Sequence, residues 1–212
     1  MKFTFEDIVI EERPTGQSFY GEYVWPAAIV MCDFLKNFDI KDKRILELGS
    51  GTGMCGIYVA KIGAKHVTLT DFIDWNIENI IKNIKANKLE KLTEPLWFKW
   101  GTSLNEKWDM IIGSDITYPT SDFYSILKTI KSHLKPGGKA ILAHVIRPFE
   151  TQIFTEYPDM SCLIEHKNDR ICSQKFKILA SYEVTDINIY SNIVKNNSPL
   201  PMCIKIIEME NR

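Results

Sequence analysis

A mostly parallel α/β sheet ending in an antiparallel hairpin is the arrangement that this chain predicts, and three patterns carry the expectation. Short apolar runs alternate with segments of helical period through most of the chain, one such run leads straight into a glycine-rich turn, and the last two runs follow each other with no helix between them. Parallel neighbours need a helical crossover between them, whereas a final pair without one must turn back on itself.

Residues 2–10 alternate well enough for a short strand or hairpin, followed by a polar turn around Pro14 to Ser18. Pro26 suits the first position of a helix, and Ala27, Ile29, Val30, Phe34 and Leu35 carry the helical spacing up to Asn37. Residues 44–48 (RILEL) form the next strand, which enters Gly49-Ser50-Gly51-Thr52-Gly53, and a helix over 54–62 is stopped by Gly63. A strand over 66–70 ends at Asp71, and Ile77, Ile80, Ile81 and Ile84 stripe a helix over 73–87. Strands are expected over 96–100 and 108–113, a helix over 121–134, a turn at Lys135-Pro136-Gly137-Gly138, and a strand over 139–145. Helix is expected over 174–180, then two strands over 183–190 and 202–209 joined by Asn196-Asn197-Ser198-Pro199. The sum is a doubly wound, Rossmann-like sheet of seven strands.

Composition narrows the function. The 212 residues are 45% hydrophobic and 25% charged, which excludes a disordered or collagen-like chain. Lys plus Arg number 26 against 27 for Asp plus Glu, so no global positive field draws the chain to nucleic acid. No apolar run approaches the roughly 18 residues of a membrane span, and the opening Met1-Lys2-Phe3-Thr4-Phe5-Glu6-Asp7 lacks the plan of a secretion signal. A soluble protein of the cytoplasm or nucleus, without membrane attachment and working as a monomer, is expected. Five cysteines with no CxxC pair fit reduced thiols. Cys162, His166 and Cys172 lack a fourth ligand and match no zinc template, so no metal is expected.

The glycine turn carries the chemistry. A strand that runs into Gly-x-Gly-x-Gly and then a helix offers bare backbone and free N–H groups to a ligand. A dinucleotide fingerprint would need glycine at position 54, where the chain has Met54, and Glu47 puts a carboxylate two residues ahead of Gly49. Asp71, at the tip of the following strand, can accept both hydroxyls of a ribose. Its alternative is a helix N-cap, and the two roles are compatible.

Glu47-x-Gly49-x-Gly51-x-Gly53 resembles motif I of the class I S-adenosylmethionine-dependent methyltransferases. With GEYVWPAA at 21–28, ILELGSGTGMCG at 45–56, Trp100-Gly101 and DMIIGSDITY at 109–118, the chain is similar to the seven-β-strand, family 16 group of lysine methyltransferase-like proteins. The resemblance implies S-adenosylmethionine as cofactor. It implies that Trp25 helps close the cofactor site, that Gly49, Ser50, Gly51 and Gly53 with Glu47 form the turn under its amino acid portion, and that Asp71 holds the ribose. Trp100 would flank the adenine and Ser114 would offer backbone contact. Asp115-x-x-Tyr118 resembles the acidic-x-x-aromatic signature of these enzymes and is the expected catalytic pair, Asp115 orienting the amine and Tyr118 lining its channel.

On this reading 1–212 is a single methyltransferase domain. Residues 1–25 are its N-terminal extension, 26–145 the cofactor-binding core, 150–181 a substrate-side segment and 183–209 the terminal hairpin. The expected reaction is N-methylation of a protein acceptor, lysine first. Protein arginine, a small molecule, or a non-catalytic interaction module that keeps the fold stand as alternatives. Asp115-Ile116-Thr117-Tyr118 lacks the two prolines with which adenine methyltransferases clamp a flipped base, which argues against a nucleic-acid substrate.

Overall fold

The computed structural model of the chain describes residues 1–14, 20–117, 122–146, 176–184 and 203–211. Strands β1 (Lys2–Phe5) and β2 (Ile8–Glu11) pair as a separate antiparallel hairpin. Then come α1 (Pro26–Leu35), β3 (Arg44–Leu48), α2 (Met54–Lys61), β4 (His66–Asp71), α3 (Asp74–Ala86), β5 (Thr93–Trp97), β6 (Trp108–Ser114), α4 (Phe123–His133), β7 (Leu134–Ile146), β8 (Phe176–Val184) and β9 (Cys203–Asn211).

The main sheet has seven strands in the order β5-β4-β3-β6-β7-β9-β8. Strands β5, β4, β3, β6 and β7 run parallel, and β9 pairs antiparallel with both β7 and β8. Successive side chains of a strand face opposite sides, and the burial follows this rule. Ile45, Val67, Leu69 and Ile112 pack beneath α1, α2 and α3, while Leu46, Leu48, Ile111 and Leu142 pack with Ile126, Leu127 and Ile130 of α4. Both faces are covered, and each fully buried Ile or Leu contributes about 1.5–3 kcal/mol.

Strand order reverses at β3, with β4 on one side and β6 on the other. Open α/β sheets bind their ligands beyond the carboxyl ends of the strands at such a reversal. The ends of β3, β4 and β6 are Leu48, Asp71 and Ser114, so the glycine turn, Asp71 and Asp115 converge on one crevice.

Three expectations change. The helix expected over 174–180 is strand β8 instead, paired along β9 from Phe176↔Asn211 to Val184↔Ile204. Lys, Leu and Ala favour helix, but Phe176, Ile178, Ala180, Tyr182 and Val184 alternate with period 2, and pairing decides. The terminal pair therefore begins at Phe176 rather than 183, and the joining residues 196–199 lie outside the described residues. Strand β5 lies at Thr93–Trp97, earlier than the expected 96–100. Finally, the Lys135 to Gly138 turn sits inside β7 as an irregularity, because Trp108 pairs with Leu134 whereas Met110 pairs with Lys139.

Candidate functional site

A cavity of about 390 Å³ opens at the reversal point. Its floor is the turn after β3. Gly49 and Gly51 have φ of +63° and +53°, in the left-handed region where a side chain is strained. Space closes the same positions. A Cβ on Gly49 would come 2.7 Å from Ile116 Cγ2 and 3.1 Å from Trp100, and one on Gly51 would come 3.0 Å from the Gly21 Cα. The Ser50 N–H donates to the Thr70 carbonyl (2.8 Å) and the Gly53 N–H to the Ser50 carbonyl (2.7 Å), so the turn is tied to the end of β4.

Two carboxylates brace this floor. Glu47 is buried, and its Oε2 accepts from the Gly56 N–H at the start of α2 (3.0 Å). Burial pushes its pKa up to about 8, with Asp71 nearby raising it and bonds from Ser50, Gly56 and Cys55 opposing the rise. Asp71 accepts from the Gly51 N–H through Oδ2 and from the Ile73 N–H through Oδ1, each at 3.0 Å. The second bond ties the start of α3. Burial raises its pKa also, against bonds from Ile73, Gly51 and Asn76. An ionised carboxylate has about four acceptor positions, and the Gly51 and Ile73 N–H groups fill two of them.

The other wall comes from the N-terminal extension. Tyr20, Gly21, Tyr23 and Trp25 line the cavity, and Gly21 lies against Gly51. Arg13 and Glu22 are joined through their backbones, and the Val24 N–H donates to Glu12 Oε1 (2.9 Å). The hairpin beneath this segment is held by α3. Asn87 exchanges both polar groups of its amide with the backbone of Val9 (2.9 and 2.7 Å), and Asn83 does so with Glu11 (2.8 and 3.2 Å). Asn79 also donates to the Glu11 carbonyl, and Asn83 to the Thr52 carbonyl of the floor. Spacings of three and four put these asparagines on one face of α3, where their amides replace a neighbouring strand along the free edge of β2.

A third wall carries Trp100, Ser114, Asp115 and Ile116. Trp100 is held because the next amide, Gly101 N–H, donates to Thr129 Oγ1 of α4 (2.8 Å), while His133 one turn on accepts from the Leu104 N–H (2.8 Å). Asp115 is 7% exposed and has φ of +53°, a conformation that costs a non-glycine residue about 1–2 kcal/mol. Its N–H donates to the Ala143 carbonyl (2.7 Å), and Thr117 Oγ1 meets His144 Nδ1 at 2.6 Å, so both sides of this strained residue are anchored to β7.

Of the residues singled out in the sequence, Trp25, Glu47, Gly49, Ser50, Gly51, Asp71, Trp100, Ser114 and Asp115 all line the one cavity. Gly53 does not. It precedes α2 with φ of +83° and faces Leu69, Ile80 and Ile57, so it serves packing. Tyr118, Arg147, Cys162, His166 and Cys172 lie outside the described residues, as does most of 150–181. Tyr20, Tyr23, Phe72, Asn76 and Asp122 also line the cavity and carry no signal of their own in the sequence, save Tyr23, which lies within the run GEYVWPAA.

The described lining holds four acidic side chains (Glu47, Asp71, Asp115, Asp122), five aromatic ones and no Lys, Arg or His. A pyrophosphate would find no basic partner there. A sulfonium with an ammonium tail and a ribose finds carboxylates and aromatic faces, so the residues fit S-adenosylmethionine, while four acidic side chains disfavour a phosphate-bearing dinucleotide.

Comparison with known proteins agrees. The model of a family described as lysine methyltransferase matches residues 4–158. The chain is 32% identical over 190 residues to the Protein N-lysine methyltransferase METTL21A of Danio rerio, with 82% of this chain and 78% of that protein covered. It is 36% identical over 121 residues to the Histone-arginine methyltransferase METTL23 of Xenopus laevis, covering 53% of this chain and about half (51%) of that relative's length. Among solved structures, coclaurine N-methyltransferase bound to N-methylheliamine and SAH superposes with a TM-score of 0.59 at 13% identity, over 86% of this chain and 72% of that one, a likeness of fold.

Proposed function

The chain belongs to the lysine methyltransferase family, and on that premise we propose that its cavity delivers a methyl group from S-adenosylmethionine to a lysine of a protein acceptor. The chain is an S-adenosylmethionine-dependent methyltransferase; the acceptor lysine is the proposed part. The observation that carries it is the lining, which among the described residues holds four acidic and five aromatic side chains and no basic one.

The bound cofactor supplies an electrophilic methyl on a sulfonium. The protein's share is to place an amine in line with it and to strip water from the path. The floor and Asp71 orient the donor, while Trp25, Tyr20 and Phe72 shield it. Asp115 lines the same cavity, where a carboxylate attracts an incoming ammonium and then accepts a hydrogen bond from the amine N–H. The attacking nitrogen must be neutral, from an ordinary pKa of about 10.4. Withdrawal from water disfavours the ammonium and so assists the loss of its proton to solvent. Asp115 is strained and anchored, as a positioning carboxylate should be. Tyr118 keeps its proposed place as the channel wall. We also propose a cytoplasmic or nuclear address, in keeping with the free thiols of Cys32 and Cys55.

The test is transfer of a tritiated methyl group from the donor to proteins of a cell extract, followed by complete acid hydrolysis. Labelled methyllysine is expected, with Asp115→Ala lowering its rate about 100-fold. The frog relative makes arginine the competing acceptor, and labelled methylarginine would replace this reading. Label in nucleic acid or small molecules alone would remove it.

A further inference from the structure

One residue of the cavity seats the N-terminal wall on the floor. Asn76, two residues into α3, is 2% exposed, and its Nδ2 donates to the Tyr20 carbonyl (3.0 Å). Gly21 completes the joint. It has φ of +91°, and a Cβ there would fall 2.5 Å from Asn76 Nδ2 and 2.8 Å from the Gly51 Cα. The chain at Gly21 is thus wedged between Asn76 and the glycine turn, with no room for a side chain, and the N–H of Gly51, against which it rests, donates to Asp71 Oδ2 (3.0 Å). One amide group therefore fixes the start of the 20–25 wall against the residue that orients the carboxylate beneath it.

We propose that Asn76 is a positioning residue that couples closure of the 20–25 wall over the cofactor to the orientation of the Asp71 carboxylate. A ligand that engages Asp71 draws on the same hydrogen-bonded joint that holds Tyr20, so binding and ordering of the wall favour each other. The wall is suited to such movement, because Tyr20 and Trp25 are 62% and 44% exposed. The other asparagines of α3 hold the hairpin further from the cavity. Asn87, bound to Val9, is the natural control. The inference rests on the reading of Asp71 as a cofactor-binding carboxylate.

Calorimetric titration with S-adenosylhomocysteine, joined to amide hydrogen exchange of residues 20–24 with and without it, tests the coupling. In the unaltered protein the ligand should slow exchange in 20–24. In Asn76→Ala the dissociation constant should rise about tenfold, as for a buried hydrogen bond lost with its acceptor left unpaired, and the ligand-induced slowing should vanish. Asn87→Ala should stay within about twofold in affinity and keep the slowing. If Asn76→Ala fails to fold, Asn76→Asp has the same size and sets an acceptor against the Tyr20 carbonyl in place of a donor, so a larger loss is expected from the same two readings. Wild-type affinity and slowing in the Asn76 variant, or equal losses in both Asn76→Ala and Asn87→Ala, would overturn the proposal while leaving the cofactor reading intact. No binding by the unaltered protein would overturn both.

Discussion

The floor and the N-terminal wall of the cavity are built in opposite ways. The floor is local. Strand β3, the turn and the start of α2 are consecutive in the chain, and backbone conformation with two braced carboxylates defines its shape. The wall is remote. Residues 20–25 gain their place from a hairpin whose free edge is held by asparagines of α3, 68 to 78 residues away in sequence. A surface shaped by backbone can be fixed before a ligand arrives, whereas one held by single side-chain amides can yield to it. The difference teaches which part of the site is preformed and which part closes.

Substitutions can break or sharpen this contrast. The largest effect is expected from Gly51→Arg, which strikes both regions at their contact. A side chain there is strained at φ of +53° and runs into Gly21, so calorimetry should show binding of S-adenosylhomocysteine falling below detection. Next is Gly56→Val, confined to the floor. Its Cβ would fall 2.5 Å from both Glu47 Oε2 and Leu69 Cδ2, and overpacking of this kind should cost about 3 kcal/mol in chemical denaturation. Asn83→Ala strips the wall's support instead. It leaves the N–H of Glu11 and the carbonyl of Thr52 without their partner and the carbonyl of Glu11 with Asn79 alone, and about 2 kcal/mol should be lost, with faster amide exchange concentrated in residues 8–12.

The remaining effect is a protonation, read as a slope with pH. Glu47 is raised from 4.5 to about 8, so the folded, ligand-free protein favours its neutral acid. The stability this acid lends is complete below about pH 4.5 and is lost as pH rises towards and through 8, a slope that Glu47→Gln should flatten in urea titrations. A cationic ligand favours the ionised form. Binding of S-adenosylmethionine, whose sulfonium is the cation, should therefore release a fraction of a proton near pH 7 in the wild type and none from this site in Glu47→Gln, read from calorimetry in buffers of different ionisation enthalpy.

Legibility follows the same division. Gly49 to Gly53, Glu47 and Asp71 declare the floor because its residues are neighbours in the chain or stand at successive strand ends. The sheet was equally readable, since the alternation of strand and helix constrains strand order. Of the wall, Trp25 and its run GEYVWPAA were legible through the resemblance, whereas the hairpin before them read as an appendage. Asparagines at 76, 79, 83 and 87 recur at helical spacing, but polar residues on a helix suggest solvent until their partner is known, and that partner is backbone without a sequence signal. Gly53 shows the converse error. It belongs to the glycine pattern yet faces the core, because the last glycine of the turn lets α2 pack close to Leu69 and Ile80. Strand β8 was misread where residue preference and period disagreed, and the pairing with β9 settled the matter.

The central claim is that this acidic crevice receives a cationic methyl donor rather than a phosphate-bearing dinucleotide. Parallel calorimetric titrations of the unaltered protein with S-adenosylmethionine and NAD test it most directly. Micromolar affinity for the first and no heat with the second is the expected result. Binding of NAD, or of neither ligand, would contradict it.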